Sequence, residues 1–349
     1  MRYEGLKRSP RRQKAPTVAL ERKEQTVGEY VMAVSFSGHS AIAILVDGAM
    51  CAAACNSDDM NKLQAHHGAI VCAKACRDRT GLITACDQGE IRFVSRSGTT
   101  LLAQTGNSSW VTSIATGEKG QLAYSVGKAI AIVGPDRTVT EVAMNASVAD
   151  MEFSLDGVQL AVAHYGGVSL IDVSEKSLTP ERLEWRGSHI RVTQSPDGRF
   201  VVSAMAENAL HGWRLEDALD MRMTGYLSKP KSFSWSSCGT WLATSGCDSV
   251  TLWPFSGYDG PMGKPPVAWG ARHNILVMMV AFHPSLDYIA AGYEDGFISL
   301  IRNKDGAVMP LREAGKGEIS ALSFSPDGVF LAYGTANGSF GLIRLSKEV

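Results

Sequence analysis

The sequence predicts an all-β protein: a single β-propeller, a closed ring of four-stranded antiparallel blades. Three observations carry this. A short pattern recurs along the chain: Phe36 and Phe324 occupy the same place in it, 288 residues and seven intervals apart, or about 41 residues per unit, the spacing of a propeller blade. Each unit reads as strand, tight turn, strand, second turn, strand, as in MEFSLDGVQLAVAHYGGVSLIDV, VAFHPSLDYIAAGYEDGFISLIRN and LSFSPDGVFLAYGTANGSFGLIRL. No long stretch shows a helical period.

In chain order, residues 1–16 form a basic arm: Arg2, Lys7, Arg8, Arg11, Arg12 and Lys14 against Glu4, a net +5, where the whole chain carries −1. Such an arm reads as solvated and disordered. TVALERK, Thr17–Lys23, is a strand candidate. First strands follow near Val31, Ile70, Trp110, Val148, His189, Pro230, Ile275 and Glu318. The residue before each first turn is Phe36, Cys76, Phe153, Gln194, Trp235, Phe282 or Phe324, with a weaker copy at Ala115. The turns are SPDG at Ser195 and Ser325, SLDG at Ser154, SSCG at Ser236, SGHS at Ser37 and HPSLD at His283. Asp-Gly and Asn-Gly pairs supply the positive-φ residues that hairpins require. Second strands such as LAVA, FVVSAM, WLATS and FLAYG are apolar on both faces, as strands packed between neighbouring blades must be. The last repeat ends at Leu345 after its third strand, so Thr17–Lys23 is expected to supply the fourth and close the ring. Eight blades are expected; seven follow if Ala41–Cys55 is not a blade. The propeller then spans residues 17–349.

The repeated SPDG turn, the LA or VA pair after it, and the Asp or Asn before the third strand resemble the WD-repeat β-propellers over nearly the whole chain. The Trp of that family stands at Trp213 and Trp253, with Ile301 and Ile343 elsewhere. The resemblance implies a structural network in many blades, here mostly incomplete. Its members would be His67, Thr84 and Asp87 in one repeat, with Val94 at the Trp position. Thr244, Asp248 and Trp253 would form another, with Tyr226 in the His place. His273 and Asp295 would form a third. It also implies a binding rim made by the loops before first strands and between second and third strands. Carried over, those positions are His67, Trp110, His164, Tyr165, Arg191, Glu207, Arg272, His273, Tyr293 and Glu294.

The chemistry is that of a binding protein. Nucleotide-binding loops, metalloprotease His pairs and nucleophile elbows do not occur in the sequence. No catalytic residue, metal or cofactor is expected. Five of the seven cysteines crowd the first half, Cys51, Cys55, Cys72, Cys76 and Cys86, with Cys238 and Cys247 further on. Residues i and i+4 of a strand lie about 13 Å apart, so no single strand brings a Cys-x3-Cys to one zinc ion. A site would need cysteines from different strands to meet His66 or His67. Cys76, at the register of Phe36 and Phe324, reads as core. The odd cysteine count and the lack of a secretory signal point to reduced thiols in a cytoplasm. The longest apolar run, Ile275–Phe282, is too short to span a membrane. The expected function is a non-catalytic scaffold that presents its rim to a protein or peptide, with only weak nucleic-acid contacts through the arm. The alternatives are zinc binding by the Cys/His-rich blades and hydrolase or lyase chemistry in the central channel.

Overall fold

The computed structural model describes residues 21–106, 109–118, 120–175 and 178–345; the basic arm lies outside them. The described residues hold thirty strands and no helix, so none could cross a membrane as a helix. The first, β1 (Glu21–Thr26), belongs to the last sheet. The strands β2 to β5 (Val31–Ser37, Ser40–Leu45, Ala49–Ala54, Met60–Gln64) make one sheet and β6 to β9 (Ile70–Ala75, Leu82–Cys86, Glu90–Ser95, Gly98–Gln104) the next. Then come β10 to β13 (Ser113–Thr116, Leu122–Val126, Ala129–Val133, Val139–Ala143). A six-stranded sheet holds β14 to β19 (Val148–Phe153, Gln159–Asp172, Glu181–Gln194, Phe200–Met205, Ala209–Arg214, Leu219–Met223). The ring continues with β20 to β23 (Phe233–Trp235, Trp241–Thr244, Val250–Pro254, Val267–Trp269) and β24 to β27 (Val277–Phe282, Tyr288–Tyr293, Ile298–Arg302, Val308–Arg312). It ends with β28 to β30 (Ile319–Phe324, Phe330–Thr335, Ser339–Arg344), whose outer strand is β1.

Seven of the eight expected first strands begin within three residues of the expected place, the largest offsets being at Trp110 and Pro230, whereas His189 falls inside the continuous strand β16. A closing strand is present as Glu21–Thr26, overlapping the expected Thr17–Lys23, of which residues 17–20 lie outside the described residues; it pairs antiparallel with β30, Glu21 opposite Arg344 and Thr26 opposite Ser339. Hydrogen bonding gives seven sheets, which corrects the expectation of eight separate blades. The cause is local. The 14-residue strands β15 and β16 run on without a break. The route to seven through Ala41–Cys55 is not the one taken, because those residues sit in a complete four-stranded sheet. Within β15, Leu160–His164 pairs with β14, whereas Gly167–Leu170 pairs with the first half of β16 and Tyr165 between them faces Ser188. Val173 N–H donates to Val158 O at 2.8 Å, so the ends of β15 lie together, and Gly166 and Gly167 at its middle have φ of +94° and +144°.

The core lies between sheets. Val31, Val34 and Phe36 of β2 pack with Phe330, Ala332, Phe340 and Leu342 of the last sheet; Leu252 packs with Val277, Val280 and Ile289 of the next sheet in the ring. Close approach explains small residues in second strands. A methyl at Gly334 would fall 2.2 Å from Val31 Cγ1. The residues before the first turns are core as expected: Phe36, Cys76, Ala115, Phe153, Gln194, Phe282 and Phe324 are buried, and Trp235 is half-buried.

The repeated turn has a physical basis. In SLDG and both SPDG copies the Ser hydroxyl donates to the Asp carboxylate at 2.5–2.6 Å. The same Ser oxygen accepts the N–H that opens the next strand at 2.9 Å. The Gly takes φ of +70° to +74°, a conformation that a Cβ disfavours. The polar groups of the turn are thus satisfied locally.

Candidate functional site

One bond recurs at one end of the ring. The N–H just past a second strand donates to the carbonyl before the neighbouring first strand: Val46 to Tyr30, Asp87 to Ala69, Ala206 to Ser188, Glu294 to Leu276 and Ala336 to Glu318, all at 2.9–3.0 Å. It brings the loop entering a first strand and the turn after a second strand to the same rim.

The structure divides the expected rim residues. Trp110 and Tyr165 stand free, 65% and 62% exposed; His67, Glu207 and His273 are exposed as well. Four, Glu207 again among them, brace loops. Glu207 accepts Ser188 N–H at 3.2 Å and Glu294 accepts Leu276 N–H at 3.0 Å. Arg272 Nη1 donates to both carboxylate oxygens of Asp295 at 2.6–2.7 Å, over the Phe297 ring. Arg191 donates to the Lys231 carbonyl and lies 3.8 Å from Asp150. Two are corrected. His164 is 3% exposed, bonded to Ser169 Oγ at 2.8 Å and Tyr165 O at 2.9 Å. Tyr293 is fully buried and donates to Gly270 O at 2.6 Å. Neither side chain is at the surface a partner would touch.

The expected networks are corrected in two repeats. Next to Thr84 stands His66, not the exposed His67: His66 Nε2 is 2.7 Å from Thr84 Oγ1, which donates on to Arg92 O at 3.3 Å. Asp295 is paired by Arg272, and His273 points to solvent. In the repeat of Thr244 the structure joins Thr244, Tyr226 and Trp253 but not Asp248. Trp253 Nε1 donates to Tyr226 Oη at 2.7 Å, Tyr226 Oη lies 2.7 Å from Thr244 Oγ1, and Thr244 donates to Thr251 O at 3.1 Å. Asp87 and Asp248 occupy the following turns without joining these chains; Asp87 Oδ1 is buried with no partner. A further copy, His189 to Ser203 at 2.7 Å and Ser203 to His211 O at 3.0 Å, was not foreseen. The common rule is that a Thr or Ser of a second strand donates to its cross-strand partner on the third.

Burial, with the Arg92 cation, drives the His66 pKa down to about 4. Burial and the neighbouring His189 do the same to His211, stacked 3.9 Å from Trp185. Both rings are neutral near pH 7. The channel-side acids Asp150 and Glu152 of β14 went unseen in the sequence. Lys74 and Arg191 flank Asp150 at 3.8–4.0 Å. Glu152 accepts Thr193 Oγ1–H at 2.9 Å and lies 3.9 Å from Arg77. Both carboxylates are engaged in holding inner strands together. Also missed were Tyr30 and Leu227, 39% and 63% exposed in loops before first strands on the same rim. A cleft of about 380 Å³ opens beside Leu227, lined by Lys229, Lys231, Asn208, Met278 and Glu294.

A ring of antiparallel sheets around a channel, its loops gathered on one rim, defines a β-propeller. The fold is shared with the computationally designed protein Ika8: TM-score 0.75 at 14% identity, over 92% of this chain and 98% of that one. Within that class the chain is similar to WD-repeat propellers. Residues 280–348 match the family described as the anaphase-promoting complex subunit 4 WD40 domain. The chain is also similar to transcription initiation factor TFIID subunit 5 of Caenorhabditis elegans, 22% identical over 210 residues. That match covers 57% of this chain and 30% of the relative's length.

Proposed function

We propose that the protein is a non-catalytic scaffold whose rim docks another protein. The observation that carries this is the placement of exposed aromatics. Of the four large exposed aromatic side chains among the described residues, Tyr30 and Trp110 lie on rim loops, Tyr165 lies at the middle of β15 beside Gly166, and only Tyr258 lies elsewhere. Leu227 joins them. Aromatic anchors dominate the energetics of protein interfaces, and loops held by a rigid ring lose little freedom on binding. The channel carboxylates are committed to ion pairs and hydrogen bonds, which favours binding over channel chemistry. The two similar families are named as subunits of larger assemblies, and the reading places this chain in the same kind of role. Free thiols at all seven cysteines suit a reducing cytoplasm.

The test is capture of the tagged protein from its native cells, with Trp110→Ala and Tyr165→Ala introduced singly and together. A stoichiometric protein partner should be retained by Tyr258→Ala and lost from the double variant, each rim change weakening it about tenfold or more. Equal capture by the double variant sinks the rim assignment.

We infer also that the six-stranded sheet carries two repeat units. In support, β15 behaves as a hairpin whose halves pair with different strands, and the second half of β16, His189–Gln194, pairs with β17 as a first strand would.

A further inference from the structure

We propose that His66, Cys86 and Glu90 form a binding site for a divalent zinc ion on the rim. The donor atoms of these three residues lie within 4.8 Å of one another. They come from three segments: His66 from the loop before β6, Cys86 from the end of β7, and Glu90 from the start of β8. The strand geometry therefore does what a Cys-x3-Cys in one strand cannot.

Three features suit the site to a metal. His66 is 1% exposed and its Nδ1 has no hydrogen-bond partner. Its Nε2 faces Thr84 Oγ1 at 2.7 Å, and Thr84 spends its own proton on Arg92 O. That chain puts the ring proton on Nε2 and leaves the Nδ1 lone pair free, aimed toward Glu90 Oε2 at 3.6 Å. A second hydrogen bond that fixes the ring in this way is what metal-binding imidazoles use. Thr84 and Cys86 are two apart on β7 and share a face, so one strand both orients the imidazole and offers the thiol. A nitrogen, a sulfur and a carboxylate oxygen together are a donor set for zinc rather than for magnesium or calcium. On binding, the Cys86 S–H proton leaves to solvent and a sulfur–zinc bond forms; His66 binds as the neutral ring, and a water completes the tetrahedron. No electron is transferred. Arg92, whose Nε donates to Glu90 Oε2 at 2.9 Å, competes with the ion for that carboxylate.

The experiment uses the full chain, stripped with chelator, and zinc titrated against a chromophoric competitor. A parallel titration with Co²⁺ reads the thiolate-to-cobalt absorption. One equivalent should bind, with the cobalt band present. Cys86→Ala should abolish the band and weaken zinc about 100-fold. Glu90→Gln, at the partly exposed edge of the site, should weaken it about tenfold while leaving the fold unchanged. Arg92→Gln should tighten it. Cys72→Ser should change nothing. No stoichiometric zinc in the wild type overturns the proposal, as does binding that survives both Cys86→Ala and Glu90→Gln. Weaker binding by Arg92→Gln overturns the role of Glu90 as a ligand. The proposal is independent of the scaffold reading, since it needs no partner.

Discussion

At the scale of single residues, burial decides what the sequence cannot. Arg312 is 1% exposed, and its charge is answered by Glu24 of β1, with Nη2 to Oε1 at 2.9 Å, and by the carbonyls of Gly296 and Lys316. Tyr333 Oη donates to the other Glu24 oxygen at 2.8 Å. Burial raises the Glu24 pKa, but the bonds from Arg312 and Tyr333 outweigh it and hold the carboxyl below its ordinary value. A depressed pKa means stability that is full above about pH 4.5 and is lost as pH falls through the folded value. Glu24→Gln should lower unfolding stability at pH 7 by about 3 kcal/mol, because a buried cation loses its counter-charge. The difference from wild type should shrink in acid. Denaturant titrations at pH 7 and pH 4 measure both; an equal loss at both pH values would mean that the charge is not what matters.

Sequence alone could not reach this scale reliably. Adjacent histidines at 66 and 67 look alike in a string, and the structure sends one inward and one out. Tyr293 and Tyr165 sit at comparable rim positions, one fully buried and one free. In each case the deciding fact is which way a side chain leaves a loop. Loop backbone is set by contacts with neighbouring strands that no local pattern encodes.

At the scale of elements, the turns and strands were legible because their chemistry is local. Ser, Asp and Gly at fixed offsets close the turn by their own hydrogen bonds, and even SSCG keeps the strand-opening bond, Trp241 N–H to Ser236 Oγ at 3.0 Å. The hydrogen-bond chain from Trp253 through Tyr226 and Thr244 to Thr251 O is another element-scale device, tying the loop before β20 to β21 and β22. Tyr226→Phe removes its middle member and leaves a buried indole N–H without an acceptor. The expected cost is about 1–3 kcal/mol in stability, read by chemical denaturation. A loss no larger than that of Tyr258→Phe at the exposed surface would show that the chain contributes only packing.

At the scale of the whole molecule, the repeat spacing of about 41 residues located the ring. What it could not give was the pattern of breaks between sheets, which depends on single residues in the links. Where β16 passes from Arg186 through Gly187 and Ser188 into His189, the link is so short that the strand never stops. If the six-stranded sheet holds two units, averaged electron-microscopy views down the ring axis should show eight lobes. Seven lobes would refute that inference and leave one enlarged sheet.

The turn after β6 gives the ring a mechanical character. From this one turn Arg77 donates to Phe153 O, and Arg79 Nη1 donates to Phe324 O at 3.3 Å. Both acceptors end first strands of sheets that are not adjacent to this one in the ring. They act as short chords, each skipping one sheet. A hoop joined only side to side can be squeezed toward an oval without breaking any joint, whereas a bond that skips a sheet resists that flattening over its own arc. A pull on this turn is therefore passed directly to the sheets two places away on either side as well as to its immediate neighbours.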